Sequence, residues 1–207
     1  MILGLTGCPG SGKSLVAAVI TGRGWVLVDA DRIGRDVVTD DPSVMTELLE
    51  AFGKDIIGPD GMLDRRLVAR RAFATGEGTD RLNRAVQPAL INRLAETVWT
   101  LRSQGMNGVV DCALVFEWGI EALFDMVVCV TADAGIRTRR LRERDGRTDE
   151  DIRRLFSAQL PEYEKARRAD LVFVNDGPME RLAAFGCMIA GFPSCMEEGR
   201  IWLKQPR

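Results

Sequence analysis

The residues best equipped for chemistry lie near the amino end, where Gly7-Cys8-Pro9-Gly10-Ser11-Gly12-Lys13-Ser14 satisfies the pattern G-x-x-x-x-G-K-[ST]. Glycines let a backbone wrap closely around phosphate oxygens, and a helix that starts just after them adds aligned N–H groups and a favourable dipole. In such a loop Lys13 reaches the β- and γ-phosphates of a nucleoside triphosphate, and the Ser14 hydroxyl ligates Mg²⁺. Gly7, Gly10, Ser11, Gly12, Lys13, Ser14 and Leu15 are therefore the expected ATP-binding residues. A glycine-rich turn that binds nothing has the same composition. The context decides against it, because an apolar strand (Ile2–Leu5) precedes the loop and a helical run (Leu15–Thr21) follows.

Two acids end later strands. Asp29-Ala30-Asp31 closes the run Trp25–Val28, and ligands in open parallel sheets gather at the carboxyl ends of strands. Asp31 there either accepts a proton from an attacking hydroxyl or holds metal-bound water; alternatively it caps the helical run Arg32–Val38. Asp111 ends Val109–Cys112, the usual place for a second magnesium acid, or else is an ordinary strand-terminal acid. Phe116-Glu117 follow shortly, so the same strand end is expected to shape the acceptor pocket. Arg137, Arg140 and Arg144 share one helical face, and three guanidinium groups so placed call for an anion between them. A lid closing over ATP accounts for them; a solvated helix with Glu143 and Asp145 as partners is the plainer account.

These residues must be held by a scaffold. Short apolar runs (Ile2–Leu5, Trp25–Val28, Val109–Cys112, Met126–Val130, Leu171–Val174) alternate with helical stretches, which predicts an α/β fold with a five-stranded parallel sheet buried on both faces. The expected layout is one domain, residues 1–207, with a core of about 1–31, 108–132 and 169–190. A helical acceptor-binding insertion of about 32–107 carries Ser43–Phe52, Asp64–Ala74 and Thr79–Arg102, and a lid occupies about 133–168. Thr148 with Asp151 predicts a capping box, and Pro178 the first turn of a last helix. The segment from Phe192 onward suggests no function.

Composition narrows the function classes. Apolar residues make up 46% of the 207, enough for a buried core, and the net charge of −2 offers no general attraction to nucleic acid or anionic membrane. That balance is uneven: Arg137–Arg168 holds 11 Lys/Arg against 7 Asp/Glu, leaving the rest of the chain at −6. Five cysteines (Cys8, Cys112, Cys129, Cys187, Cys195) without a CxxC pair fit a reduced, cytoplasmic protein, and the lack of histidine weighs against structural zinc. No apolar run has the length of a membrane span, and Met1 leads into a strand without the charged region of a signal peptide.

Among enzymes and switches built on this loop, a regulatory GTPase would need N-K-x-D after its D-x-x-G element; Asp31–Gly34 and Asp55–Gly58 fit the latter, but the former is absent. A nucleic-acid motor would need a broadly basic face. A small-molecule kinase fits the length, the insertion and the arginines. The chain further resembles the dephospho-CoA kinases from Ile2 to about Gly177. The shared elements are Leu5-Thr6-Gly7 with the loop, Asp29-Ala30-Asp31-Arg32-Ile33 with Arg35 and Val37-Val38, Phe52-Gly53, and Asp60-Gly61-Met62-Leu63-Asp64-Arg65. Leu82-Asn83 ahead of Pro88, Val110-Asp111, Leu114-Val115-Phe116-Glu117 and Phe124-Asp125 follow, then Arg140, Arg144-Asp145-Gly146, Gln159, Ala169-Asp170 and Asn175-Asp176-Gly177.

The resemblance implies phosphate transfer from ATP to the ribose 3′-hydroxyl of dephospho-CoA, the last step of coenzyme A synthesis. It also implies Asp31 as catalytic base, Arg65 as an acceptor contact, Arg140 and Arg144 as lid arginines on the phosphates, and Asn175 beside the adenine. Asp31, Arg65, Asp111 and Glu117 are the expected acceptor-side residues, Ser14 and Asp111 the expected Mg²⁺ ligands, and Asp31, Lys13, Arg140 and Arg144 the expected catalytic set. The chain departs from the family pattern at Gln87 (for histidine), Ala113 (for proline), Leu15 (for threonine) and Arg137 (for glutamine). A nucleoside or deoxynucleoside monophosphate kinase, and an inactive ATP-binding homologue, are the alternatives.

Overall fold

The computed structural model describes residues 1–193; Cys195 and the rest of the tail lie outside them. The chain forms two compact units. One comprises Met1–Asp29 and the chain from Thr97 onward, the other Ala30–Glu96. These bounds differ from the expected insertion of about 32–107, because the long helix Gly76–Ser103 runs from one unit into the other.

The first unit is built on five parallel strands: β1 (Ile2–Gly7), β2 (Val26–Asp29), β3 (Gly108–Asp111), β4 (Met126–Thr131) and β5 (Leu171–Val174), in the order β2-β3-β1-β4-β5. β1, β3 and β4 are the inner strands, and their near-continuous burial follows from cover on both faces. The expectation of full burial fails for β2 and β5. Both are edge strands, and Leu27 and Val174 are about half exposed. Helix α1 (Lys13–Thr21) packs Val16, Ala17 and Ile20 onto Leu3, Leu5, Val109 and Val128. Phe173 stacks on Phe185 of the last helix, with ring centroids 4.3 Å apart. Register is what matters for chemistry. Leu5 and Asp29 both pair with Asp111, so β2 and β3 finish level while β1 runs two residues further, to Gly7.

The second unit is helical: α2 (Ala30–Asp40), α3 (Pro42–Phe52), α4 (Arg65–Ala72) and most of α5 (Gly76–Ser103). Its own core joins Val44, Leu48, Ile56, Val68 and Ala85. Asp41 caps α3 by accepting from the Ser43 N–H at 2.9 Å, and Asp64 caps α4 by accepting from Leu67 at 2.9 Å. Asp64 therefore precedes its helix rather than opening it, as an N-cap does.

Between β4 and β5 run α6 (Ala134–Asp145), α7 (Asp149–Ser157) and α8 (Glu162–Arg168); α9 (Met179–Ala190) closes the described chain. The capping box forms as expected, with Thr148 and Asp151 bonding each other's backbone N–H. Pro178 stands one position earlier than expected, at the N-cap of α9.

Candidate nucleotide site

β1 ends at Gly7 and α1 begins at Lys13, so the loop between them lies at the carboxyl end of the central strand. Gly12 caps α1 with φ 93°, a left-handed conformation that glycine adopts without strain. Space is equally restrictive, since a Cβ on Gly12 would come within 2.2 Å of the Asn175 amide nitrogen. That amide, buried just after β5, donates to the Ser11 carbonyl at 2.7 Å. Arg140 reaches the same loop: Nη1 donates to the carbonyls of Gly10 (3.3 Å) and Ser11 (3.4 Å), and Nη2 to that of Asn175 (2.9 Å).

These contacts orient the loop. In a trans peptide the C=O and the following N–H point opposite ways, so fixing the Ser11 carbonyl against Asn175 and Arg140 aims the Gly12 N–H to the other side. The first N–H groups of α1 have no intrahelical acceptor and carry the positive end of the helix dipole. The arrangement suits an anion. Beside it opens a cavity of about 420 Å³ lined by Gly10, Gly12, Leu15, Arg140, Arg144 and Asn175. Ser14 is exposed at the start of α1. The side chain of Lys13 forms an ion pair with Asp111, both largely shielded from solvent. The loop thiol of Cys8 is buried, and burial pushes its pKa up, so it stays protonated and is a poor nucleophile.

Arg137, Arg140 and Arg144, three of the five arginines of α6, are each held by different partners. Arg137 is buried, paired with Glu162 at 2.8 Å, bonded through Nε to the Ala132 carbonyl at 3.0 Å and set 4.4 Å over the Phe156 ring. Burial pushes the Glu162 carboxyl above its ordinary range, and Arg137 pulls it back. Arg140 holds the loop. Arg144 is exposed and grips Asp145 through two bonds of 2.7 and 2.8 Å, which hold that carboxyl below the usual range. The expected mutual repulsion is relieved because each guanidinium has its own partners.

Glu117 lies in the segment after β3, where its Oε1 accepts from the Leu160 N–H at 2.8 Å and from Lys165 at 2.9 Å. Lys165 had no sequence signal; in Glu162-Tyr163-Glu164-Lys165-Ala166-Arg167-Arg168 it reads as one more solvated charge. Asp31 and Arg65 belong to the second unit. Asp31 is exposed within the first turn of α2, which begins at Ala30, so it does not occupy the N-cap position. Arg65 opens α4 and donates to Thr39 Oγ1 (2.5 Å) and the Arg35 carbonyl (3.0 Å), tying α4 to α2. Among the described residues no group of three or more His, Cys, Asp or Glu could hold a metal, and no helix is long and apolar enough to cross a membrane.

Comparison with known proteins bears on the family. The family model for dephospho-CoA kinase matches residues 1–181. A dephospho-CoA kinase of Corynebacterium glutamicum is 40% identical over 183 residues, covering 88% of this chain and 92% of the relative. One from Anaeromyxobacter dehalogenans is 38% identical, over 88% of this chain and 87% of the relative. Among solved structures, the Thermus thermophilus protein TT1252 superposes with a TM-score of 0.75 at 31% identity, over 92% of this chain and 96% of that one. Dephospho-CoA kinase from Campylobacter jejuni gives 0.71 over 97% and 98%; at 18% identity that likeness speaks for the fold alone. With a matching family model, a matching fold and relatives of this identity along nearly their whole length, the chain belongs to the dephospho-CoA kinase family.

Proposed function

We propose that this chain transfers the γ-phosphate of ATP to the ribose 3′-hydroxyl of dephospho-CoA, completing coenzyme A synthesis. The observation that carries the reading is the loop at the carboxyl end of the central strand, its carbonyls held by Asn175 and Arg140 and its lysine set on Asp111. A triphosphate in this loop would meet the α1 N–H groups, Lys13, Arg140 and Arg144. Asn175 and the adjoining cavity suit the adenine end. Lys13 would exchange part of its contact with Asp111 for the β- and γ-phosphates.

Magnesium usually keeps several waters and binds through one or two protein groups plus substrate phosphates. The donor set here, the exposed Ser14 hydroxyl and the Asp111 carboxylate, fits that habit rather than a protein cage. Those two residues would hold the ion, which neutralises charge on the transferring group when bound. On the acceptor side, Asp31 would take the proton of the attacking hydroxyl, Arg65 would contact the acceptor, and Glu117 would border its pocket. Arg140 and Arg144 would offset charge on the phosphates. Positioning and electrostatics then carry the rate. The free cysteines of the described chain fit action in the cytoplasm.

The test is ADP release from Mg-ATP with dephospho-CoA, nucleoside and deoxynucleoside monophosphates, shikimate and gluconate as acceptors. Dephospho-CoA should give the highest kcat/KM by a wide margin. A nucleoside monophosphate in first place would move the chain to another acceptor class, and tight ATP binding without any turnover would make it an inactive homologue.

A further inference from the structure

Lys165 is the largest fully buried side chain among the described residues. An ammonium group withdrawn from water is tolerated only when its donors are satisfied. Here three acceptors surround it: the Ala113 carbonyl at 2.6 Å, Glu117 Oε1 at 2.9 Å and Gln159 Oε1 at 3.0 Å. Two of these lie in the segment just after β3, the third between α7 and α8.

Both β3-side acceptors have a second tether. The Ala113 carbonyl also accepts from Thr6 Oγ1 at 3.0 Å, and Glu117 Oε1 also accepts from the Leu160 N–H at 2.8 Å. Thr6 immediately precedes Gly7, where the phosphate loop begins, and Ala113 stands two residues beyond Asp111, the partner of Lys13. The ammonium thus joins the middle of α8, from which it extends, to the ends of β1 and β3. A buried ion pair that served stability alone would need only Glu117. The bond to Ala113 adds a hold on the backbone that carries Asp111.

We propose that Lys165 is a positioning residue for phosphoryl transfer, fixing the end of β3 so that Asp111 and Lys13 face the phosphates correctly. The inference rests on the kinase reading above. A misplacement of about 1 Å in a catalytic constellation lowers turnover by roughly a hundredfold, so even a partial shift is measurable.

The experiment compares wild type, Lys165→Met and the double variant Lys165→Met/Glu117→Gln, which leaves no unpaired buried carboxylate. Melting temperature is recorded by circular dichroism, and kcat and KM for ATP and dephospho-CoA are measured at a temperature where each protein is fully folded. Lys165→Met should lower kcat by roughly tenfold or more while KM for ATP stays within about threefold. The double variant should regain melting temperature but not kcat, because the Ala113 carbonyl still lacks its ammonium. A folded Lys165 variant with kcat within about twofold of wild type would overturn the proposal. If neither Lys165 variant folds, Thr6→Val decides, since it removes the other donor to the same carbonyl. A severalfold loss of kcat supports the role; unchanged kcat overturns it. Wild type with no acceptor turnover would overturn the kinase reading and this inference together, whereas active wild type with unchanged variants overturns this one alone.

Discussion

The two units treat their polar side chains differently. In the sheet unit several are buried: Thr6, Ser11, Thr131, Arg137, Lys165 and Asn175, which are all the buried polar or charged residues among those described. Most of them hold backbone: Asn175 the Ser11 carbonyl, Arg137 that of Ala132, and Lys165 and Thr6 that of Ala113. In the helical unit the charged groups stay near solvent, as in Arg81 with Glu77 and Arg65 on Thr39. Buried bonds of this kind fix geometry before substrate arrives, whereas exposed pairs contribute little and leave long side chains free to rearrange. On the function proposed above, the sheet unit would serve transition-state placement and the helical unit would accommodate the acceptor.

Asp31 is the sharpest challenge to that division, because it belongs to the helical unit yet is assigned chemistry. Asp31→Asn keeps the shape and removes the charge. As a general base its loss should lower kcat by roughly a hundredfold to ten-thousandfold, with little change in melting temperature. Normal kcat would confine the helical unit to binding.

Lys13→Ala tests the sheet unit. Loss of a fixed donor aimed at the transferring phosphate typically costs about 3–4 kcal/mol, a hundredfold or more in rate. Turnover should fall by that amount while circular dichroism shows an intact fold. Activity near wild type would remove the loop from the mechanism.

A smaller effect separates two arginines on one helix. Arg140 donates to three carbonyls, whereas among the described residues Arg144 pairs with its exposed neighbour Asp145. A lysine at position 140 has no planar fork to span three acceptors, so Arg140→Lys should lower kcat by roughly tenfold and raise KM for ATP. Arg144→Lys should lower kcat with less effect on KM, because the loop does not depend on it. Equal and wild-type behaviour of both would leave the arginines as surface charge.

Much of this architecture was legible from local signals. Each strand is a short apolar run, the phosphate loop is contiguous, and the Thr148–Asp151 box needs only a three-residue spacing. What escaped depends on distant partners. Strand order makes β2 and β5 edges, so their exposure is absent from their own residues. Arg137 looks like its neighbours Arg140 and Arg144, and only Glu162 and Phe156 make it a buried anchor. Lys165 is hidden for the same reason, since Ala113, Glu117 and Gln159 converge on it only in three dimensions.

The central claim is a phosphoryl transfer to one defined oxygen, and the structure of the product tests it most directly. Purified protein, Mg-ATP and dephospho-CoA are incubated, and the product is characterised by phosphorus NMR and mass spectrometry alongside ADP. The account predicts one new phosphomonoester on the ribose 3′-oxygen, formed in equal amount with ADP. Phosphate at another position, or ADP formed without a phosphorylated acceptor, would contradict it.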